Sequence, residues 1–156
     1  MGAFISRLAI VTKMLAGVIL GLMTIMVGIV IAGRYLNFSV AWADELARIF
    51  FVWSALLGAA SATHNKLHFT VSFVTSFLSK ATRLTLATFS SLLMVAILIF
   101  ILIAAIGALS IAKIQILPAL QISKVYFHLP VTISCILMTL FVINHLFQEY
   151  SGKRGK

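Results

Sequence analysis

The sequence predicts an all-α integral membrane protein with four transmembrane helices and a short amphipathic interfacial helix between the second and the third. Of the 156 residues, 62% are hydrophobic and only 10% are charged, whereas soluble domains are about half apolar and about a quarter charged. The apolar residues form long continuous runs, unlike the roughly ten-residue alternating strands of membrane barrels. Helices also satisfy their own backbone hydrogen bonds, which lipid requires. We interpret the chain, residues 1–156, as one membrane domain.

Four apolar runs are long enough for the roughly 20 residues that a spanning helix needs. The predicted spans are 14–33, 42–63, 84–112 and 126–148. The first run is longer than the apolar region of a secretory signal peptide, and further spans follow it. We therefore expect the first helix to be retained.

The segment between the second and third spans has the pattern of a helix that lies along the membrane surface. Phe69, Phe73 and Phe77 recur at helical spacing, and Ser72 and Ser76 fall on another face. This pattern predicts an interfacial amphipathic helix at about 69–80.

The distribution of basic residues predicts the orientation. Eight of the 12 lysines and arginines fall on the side that holds both termini and the middle connection. The positive-inside rule therefore places both termini in the cytoplasm. The residues expected at the cytoplasmic interface are Lys66, His68, Lys80 and Arg83.

Charged and aromatic residues gather at the predicted outer end of the second span. Two of the chain's three acids, Asp44 and Glu45, lie there, and Arg48 lies within pairing distance of either along a helix. N-terminal capping and interface anchoring explain one acid and one tryptophan, but charges near lipid are costly and usually face protein or water. We therefore predict an outer charge cluster that faces a partner. Its members are Arg34, Tyr35, Trp42, Asp44, Glu45, Arg48 and Trp53.

Small residues at helical spacing predict close helix packing, either within the chain or against a partner. Gly17 and Gly21 form a GxxxG pair, Gly28 lies seven residues further on, and Gly58 lies in the second span.

Several function classes are disfavoured by what the sequence lacks. No Asp, Glu, Lys or Arg lies near the centre of a span, where coupled transport usually needs one. The single cysteine, Cys135, excludes an internal disulfide, and no basic patch suggests nucleic-acid binding. We expect no metal or cofactor in this chain and no enzymatic activity. Two alternatives stay open: a haem-binding anchor of a respiratory enzyme, using His64 or His68 with His145, and a self-contained exporter.

Specific residues of the first half resemble a known family. They are Arg34-Tyr35, Trp42 to Arg48, Phe51-Val52-Trp53, Leu57-Gly58-Ala59 and His68, followed in the last span by Leu129-Pro130. Together they resemble the small membrane subunit of tripartite ATP-independent periplasmic (TRAP) transporters.

This resemblance implies a sodium-coupled transporter in a bacterial inner membrane. A large membrane subunit would carry an organic acid, of the sialic acid or C4-dicarboxylate type, together with sodium. A soluble periplasmic protein would capture that substrate. The small subunit, the part that this chain resembles, would brace the large subunit and help to dock the soluble protein.

Overall fold

The described part of the chain folds into four long helices. The structure is a computed structural model that describes the backbone of residues 2–66 and 80–151 and the side chains of 5–64 and 89–144. Its helices are α1 (Gly2–Tyr35), α2 (Ala41–Lys66), α3 (Lys80–Ala112) and α4 (Val125–Ser151). Each contains a stretch long and apolar enough to cross a membrane. The all-α membrane fold is therefore confirmed. The expected interfacial helix falls outside the described residues, except for Lys80, which begins α3.

Helix α1 continues well beyond the predicted span toward the N-terminus. The apolar run stops at Lys13, but the helix begins at Gly2 because lysine and arginine are themselves good helix formers. The added turns are packed rather than free. Ile5 and Leu8 lie against a buried cluster of Ala9, Ala60 and Phe141, which joins α1 to α2 and α4.

The helices lie side by side as an open array rather than around a common centre. Helix α1 packs mainly on α2 and touches α4 at Ala9, α2 packs on α4, and α4 packs on α3. The two end helices therefore keep broad apolar faces that the described chain does not cover, as shown by exposed Val18 on α1 and Phe100 on α3. We call the end that holds residues 36–40 and 113–124 the turn end, and the opposite end the terminus end.

Small residues form the contact between α1 and α2. On α1 the buried positions Ala9, Thr12 and Ala16 follow alternating spacings of three and four residues. On α2 the small buried residues that meet Ala9 are Ala60 and Ser61. The Ser61 hydroxyl lies 3.4 Å from the Ala9 carbonyl oxygen and donates to it across the contact. The seam is therefore of the close-packed type that joins helices in membranes, where small side chains let backbones approach.

The turn from α1 to α2 is a Schellman motif with asparagine in the left-handed position. Asn37 has φ of 54°, which asparagine tolerates better than most residues. The Phe38 amide donates to the Gly33 carbonyl at 2.8 Å, and the Asn37 amide donates to the Arg34 carbonyl at 3.3 Å. These bonds satisfy two carbonyls at the end of α1 and direct the chain back along it.

We expect Gly33→Ala to destabilise this turn. A Cβ at Gly33 would lie 2.8 Å from the Phe38 carbonyl oxygen and 2.9 Å from a methyl carbon of Val40, so the backbone has to shift. The expected cost is about 1–3 kcal/mol, the usual range for overpacking, measured as the free energy of unfolding in detergent. Gly28→Ala is the matched control, because a Cβ there meets nothing within 4 Å. Equal stability of the two variants would contradict the assignment.

Candidate functional site

The candidate site is at the turn end, where the connection between α3 and α4 forms a small hairpin of residues 113–124. Ile116 and Ser123 form an antiparallel bridge. The Leu117 amide donates to the Ile122 carbonyl at 2.8 Å, and the Lys124 amide donates to the Gln115 carbonyl at 2.9 Å. The hairpin is thus internally bonded, but its tip still has amides that need acceptors.

Glu45 supplies those acceptors. The Ala119 amide donates to both carboxylate oxygens of Glu45, each at 3.1 Å. The Leu120 amide donates to Oε2 at 2.9 Å. Hydrogen bonds to an ionised acceptor are stronger than neutral ones. One of the chain's rare acids therefore holds the hairpin tip against α2.

Trp53 makes a second bond from α2 to the same region. Pro130 lies inside α4 and has no amide hydrogen, so the Tyr126 carbonyl, four residues earlier, lacks its usual helical donor. The indole Nε1–H of Trp53 donates to that carbonyl at 3.0 Å. The proline and the tryptophan thus form a complementary pair, in which one removes a donor and the other replaces it.

These two contacts show where the hairpin lies. Glu45 and Trp53 come about 6 Å and about 18 Å after the start of α2 at Ala41, at about 1.5 Å per residue. The hairpin and the start of α4 therefore lie alongside the first turns of α2. They do not lie beyond the N-terminal end of that helix. The polar groups of this irregular backbone find partners on α2, in the Glu45 carboxylate and the Trp53 indole. We call Glu45, Trp53 and the groups that they bind the hairpin clamp.

The remaining charged residues of the predicted cluster lie on other faces of the turn end. Arg48 donates to the Asp44 carboxylate at 2.6 Å, so Asp44 rather than Glu45 is the arginine's partner. Arg34 lines a cavity that Asp44 also lines, and Arg34 does not meet Glu45. Trp42 is half exposed, and Tyr35 is 85% exposed. The structure therefore divides the predicted cluster into the hairpin clamp, whose side chains bind groups within the chain, and an exposed set.

The glycines singled out in the sequence lie outside the helix contacts of the described chain. A Cβ at Gly17, Gly21, Gly28 or Gly58 would meet nothing within 4 Å. The three glycines of α1 are exposed on one face, which the seam with α2 leaves free. Close packing within the chain instead uses alanine, serine and Gly33, residues that a search for GxxxG does not find.

The two histidines whose side chains are described, His64 and His128, lie at opposite ends of the helix array. His64 lies near the terminus end of α2, with its ring edge-on to Phe141 at 5.3 Å between centroids. His128 lies in the first turns of α4, at the opposite end of the array. Among the residues with described side chains, no group of three His, Cys, Asp or Glu could hold a metal ion. The side chains of Lys66, His68, Lys80, Arg83 and His145 fall outside the described set.

Comparison with known proteins places this sequence in a family. The family model for the DctQ component of tripartite ATP-independent periplasmic transporters matches residues 23–152. A Haemophilus influenzae protein named as a TRAP transporter small permease protein is 24% identical over 138 residues, which cover 86% of this chain and 84% of that protein. The matched region contains the α1–α2 turn, the hairpin and both clamp residues. The chain therefore belongs to the DctQ-component family of TRAP transporters, a family of small membrane subunits, as its sequence predicted.

Proposed function

We propose that this chain braces a large membrane subunit that carries an organic acid with sodium, and that it helps to dock a soluble substrate-binding protein. The transported acid would be of the sialic acid or C4-dicarboxylate type, and sodium would bind in the large subunit. The family match supports the assignment to a transporter component. The observation that carries the bracing role is the absence of Asp, Glu, Lys and Arg from the central parts of the spans.

That absence matters because transporters that couple a substrate to an ion place charged side chains where the substrate and the ion bind. No Asp, Glu, Lys or Arg occurs in 14–33, 49–63 or 84–112. The helices of the described chain also stand side by side rather than around a site. Such an array is suited to give rigid support, since α1 and α3 present long apolar faces to their surroundings.

The proposed orientation places the turn end on the periplasmic side of a bacterial inner membrane. The excess of lysine and arginine at the terminus end supports this orientation through the positive-inside rule. The exposed set at the turn end comprises Arg34, Tyr35, Trp42, Asp44 and Arg48. In this orientation its Tyr35, Trp42 and Arg48 would face the soluble protein or the large subunit.

The glycine face of α1 is our candidate contact for the large subunit. Gly17, Gly21 and Gly28 form a shallow strip where another helix could approach closely. This strip is separate from the seam that α1 uses for α2, so a partner could bind it without displacing any contact of the described chain.

Co-purification tests this proposal. Gly21→Phe should strongly reduce recovery of the co-expressed large subunit, because the new ring fills the strip. Leu22→Phe is the matched control, since it places the same ring at an exposed neighbouring position turned by about 100° around the helix. Equal recovery with both variants would exclude the glycine face as the contact.

Reconstitution tests the bracing role directly. Liposomes that contain this chain alone should show no uptake of sialic acid or of a C4-dicarboxylate in a sodium gradient. Liposomes that contain both membrane subunits should show uptake when the loaded soluble protein is added. Uptake by this chain alone would overturn the proposal and favour a self-contained carrier.

A further inference from the structure

A cavity of about 190 Å³ lies at the turn end, between α1 and α2. It gathers groups of three chemical kinds. Its charged and polar side chains are Arg34, Asp44 and Ser39, and its apolar side chains include Val30, Phe38 and Val40. A small space that holds a cation, an anion and a hydroxyl beside an apolar wall suits a ligand that is itself both charged and apolar.

The two charged residues of the cavity differ in whether an ion pair already engages them. Asp44 is held by Arg48 through Oδ2 at 2.6 Å, which leaves Oδ1 available. Arg34 is exposed, and no ion-pair partner for it occurs among residues 5–64 and 89–144. The cavity therefore offers a free guanidinium, which binds phosphate oxygens well, and a positioned carboxylate oxygen.

The surroundings of the cavity point to lipid. Arg34 lies at the end of a membrane-spanning segment that finishes at Tyr35. Val27 and Ile31, which precede Arg34 by about two turns and one turn, are both exposed. A molecule with its charged part at Arg34 could thus lay an acyl chain along α1 toward the membrane centre.

We propose that this cavity binds a phospholipid with an ethanolamine headgroup. The phosphate would accept hydrogen bonds from Arg34, and the ammonium would donate to Asp44 Oδ1. The acyl chain would follow Val27 and Ile31. Phosphatidylglycerol has the phosphate but no cationic group that could pair with Asp44. Phosphatidylcholine has a cation, but its quaternary ammonium has no N–H to donate. The headgroup of phosphatidylethanolamine is the one of the three that complements both charges.

Native mass spectrometry of the full chain, purified in a mild detergent, tests this proposal. Titration with phosphatidylethanolamine should give bound lipid that phosphatidylglycerol displaces poorly. Arg34→Gln should weaken retention of phosphatidylethanolamine about tenfold, because a charge-assisted contact is lost. Lys113→Gln is the matched control, since it removes an exposed cation at the same end of the array but outside the cavity.

A second substitution tests the preference for the ethanolamine headgroup. Asp44→Asn should abolish the preference for phosphatidylethanolamine over phosphatidylglycerol while leaving the fold intact, because an exposed i, i+4 ion pair contributes little to stability. Thermal unfolding of each variant checks the fold. Unchanged retention by Arg34→Gln, or an unchanged preference in Asp44→Asn, would overturn the proposal.

Photolabelling distinguishes a lipid from a protein occupant. In membranes that also contain the large subunit, phosphatidylethanolamine with a photoreactive acyl chain should label the segment 27–34. Labelling of this segment should fall in Arg34→Gln. Crosslinks from this segment to the large subunit in place of lipid would show that a partner fills the cavity, and the proposal would then be wrong.

Discussion

Glu45→Ala should release the tip of the hairpin from α2 and thereby increase amide exchange at Ala119 and Leu120 by about tenfold or more. Both amides donate to the Glu45 carboxylate, at 2.9–3.1 Å. Hydrogen bonds to charged groups contribute about 1.5–3 kcal/mol each, and alanine provides no acceptor. Hydrogen–deuterium exchange of a peptide that spans 113–124 measures the effect directly.

Two further variants show whether the effect comes from the Glu45 carboxylate itself or from the loss of any negative charge at the start of α2. Asp44→Asn should leave exchange in the hairpin unchanged, because Asp44 pairs with Arg48 and not with the hairpin. Glu45→Gln should have an intermediate effect, since its amide oxygen still accepts but carries no charge. If exchange at Ala119 and Leu120 is the same in Glu45→Ala as in the unaltered protein, the clamp has no energetic role.

The same substitution has an expected functional effect, which rests on the proposed function. Membrane insertion of Glu45→Ala should be unchanged, because the four apolar spans are intact. Uptake by the assembled transporter should fall, since the loosened hairpin lies at the end where partners are proposed to bind. Faster exchange with full uptake would retain the structural clamp but separate it from transport.

Trp53→Phe should destabilise the protein because it removes the indole N–H that donates to the Tyr126 carbonyl. Phenylalanine retains most of the ring packing, so the loss isolates the indole N–H. Hydrogen bonds between membrane helices typically contribute about 0.6–2 kcal/mol. We expect a decrease of about 1 kcal/mol in the free energy of unfolding, measured in detergent.

A double-mutant cycle tests the proposed cause. Pro130→Ala restores an amide hydrogen at position 130, which can donate to the Tyr126 carbonyl within α4. In that background Trp53→Phe should cost much less, because the carbonyl already has a donor. Pro130 is fully buried, so Pro130→Ala has a packing cost of its own, which the cycle subtracts. Additive effects of the two substitutions would falsify the pairing of Trp53 with Pro130.

The hairpin clamp gives a physical reason for the unusual position of the acids. A hydrophobic chain gathers charge at the start of α2 because irregular backbone lies beside those turns and needs strong acceptors. Asp44 and Arg48 instead satisfy each other on an exposed face. That the seven residues face a partner stays a prediction; within the chain, Glu45 binds the hairpin and Trp53 binds the start of α4.

The sequence by itself determined the fold class, the number of spans and the family, because each of these follows from signals that are local along the chain. A run of about 20 apolar residues spans a membrane whatever its neighbours are. The block from Trp42 to Arg48, in combination with Arg34-Tyr35 before it and His68 after it, resembles the family through the order of its residues. The pairing of Asp44 with Arg48 was also foreseeable, as one of two alternatives that helical spacing allowed.

Only the tertiary structure decided which groups meet across the array. Glu45 finds Ala119 and Leu120, 74 and 75 residues away, and Trp53 finds Tyr126, 73 residues away. Backbone amides and carbonyls occur at nearly every position, so no residue type in the sequence marks these as the partners. The close contact between α1 and α2 likewise uses alanine and serine residues and not the glycines of the GxxxG pair. Which face of an apolar helix is covered depends on the neighbour that docks there, and a uniformly apolar sequence does not distinguish one face from another.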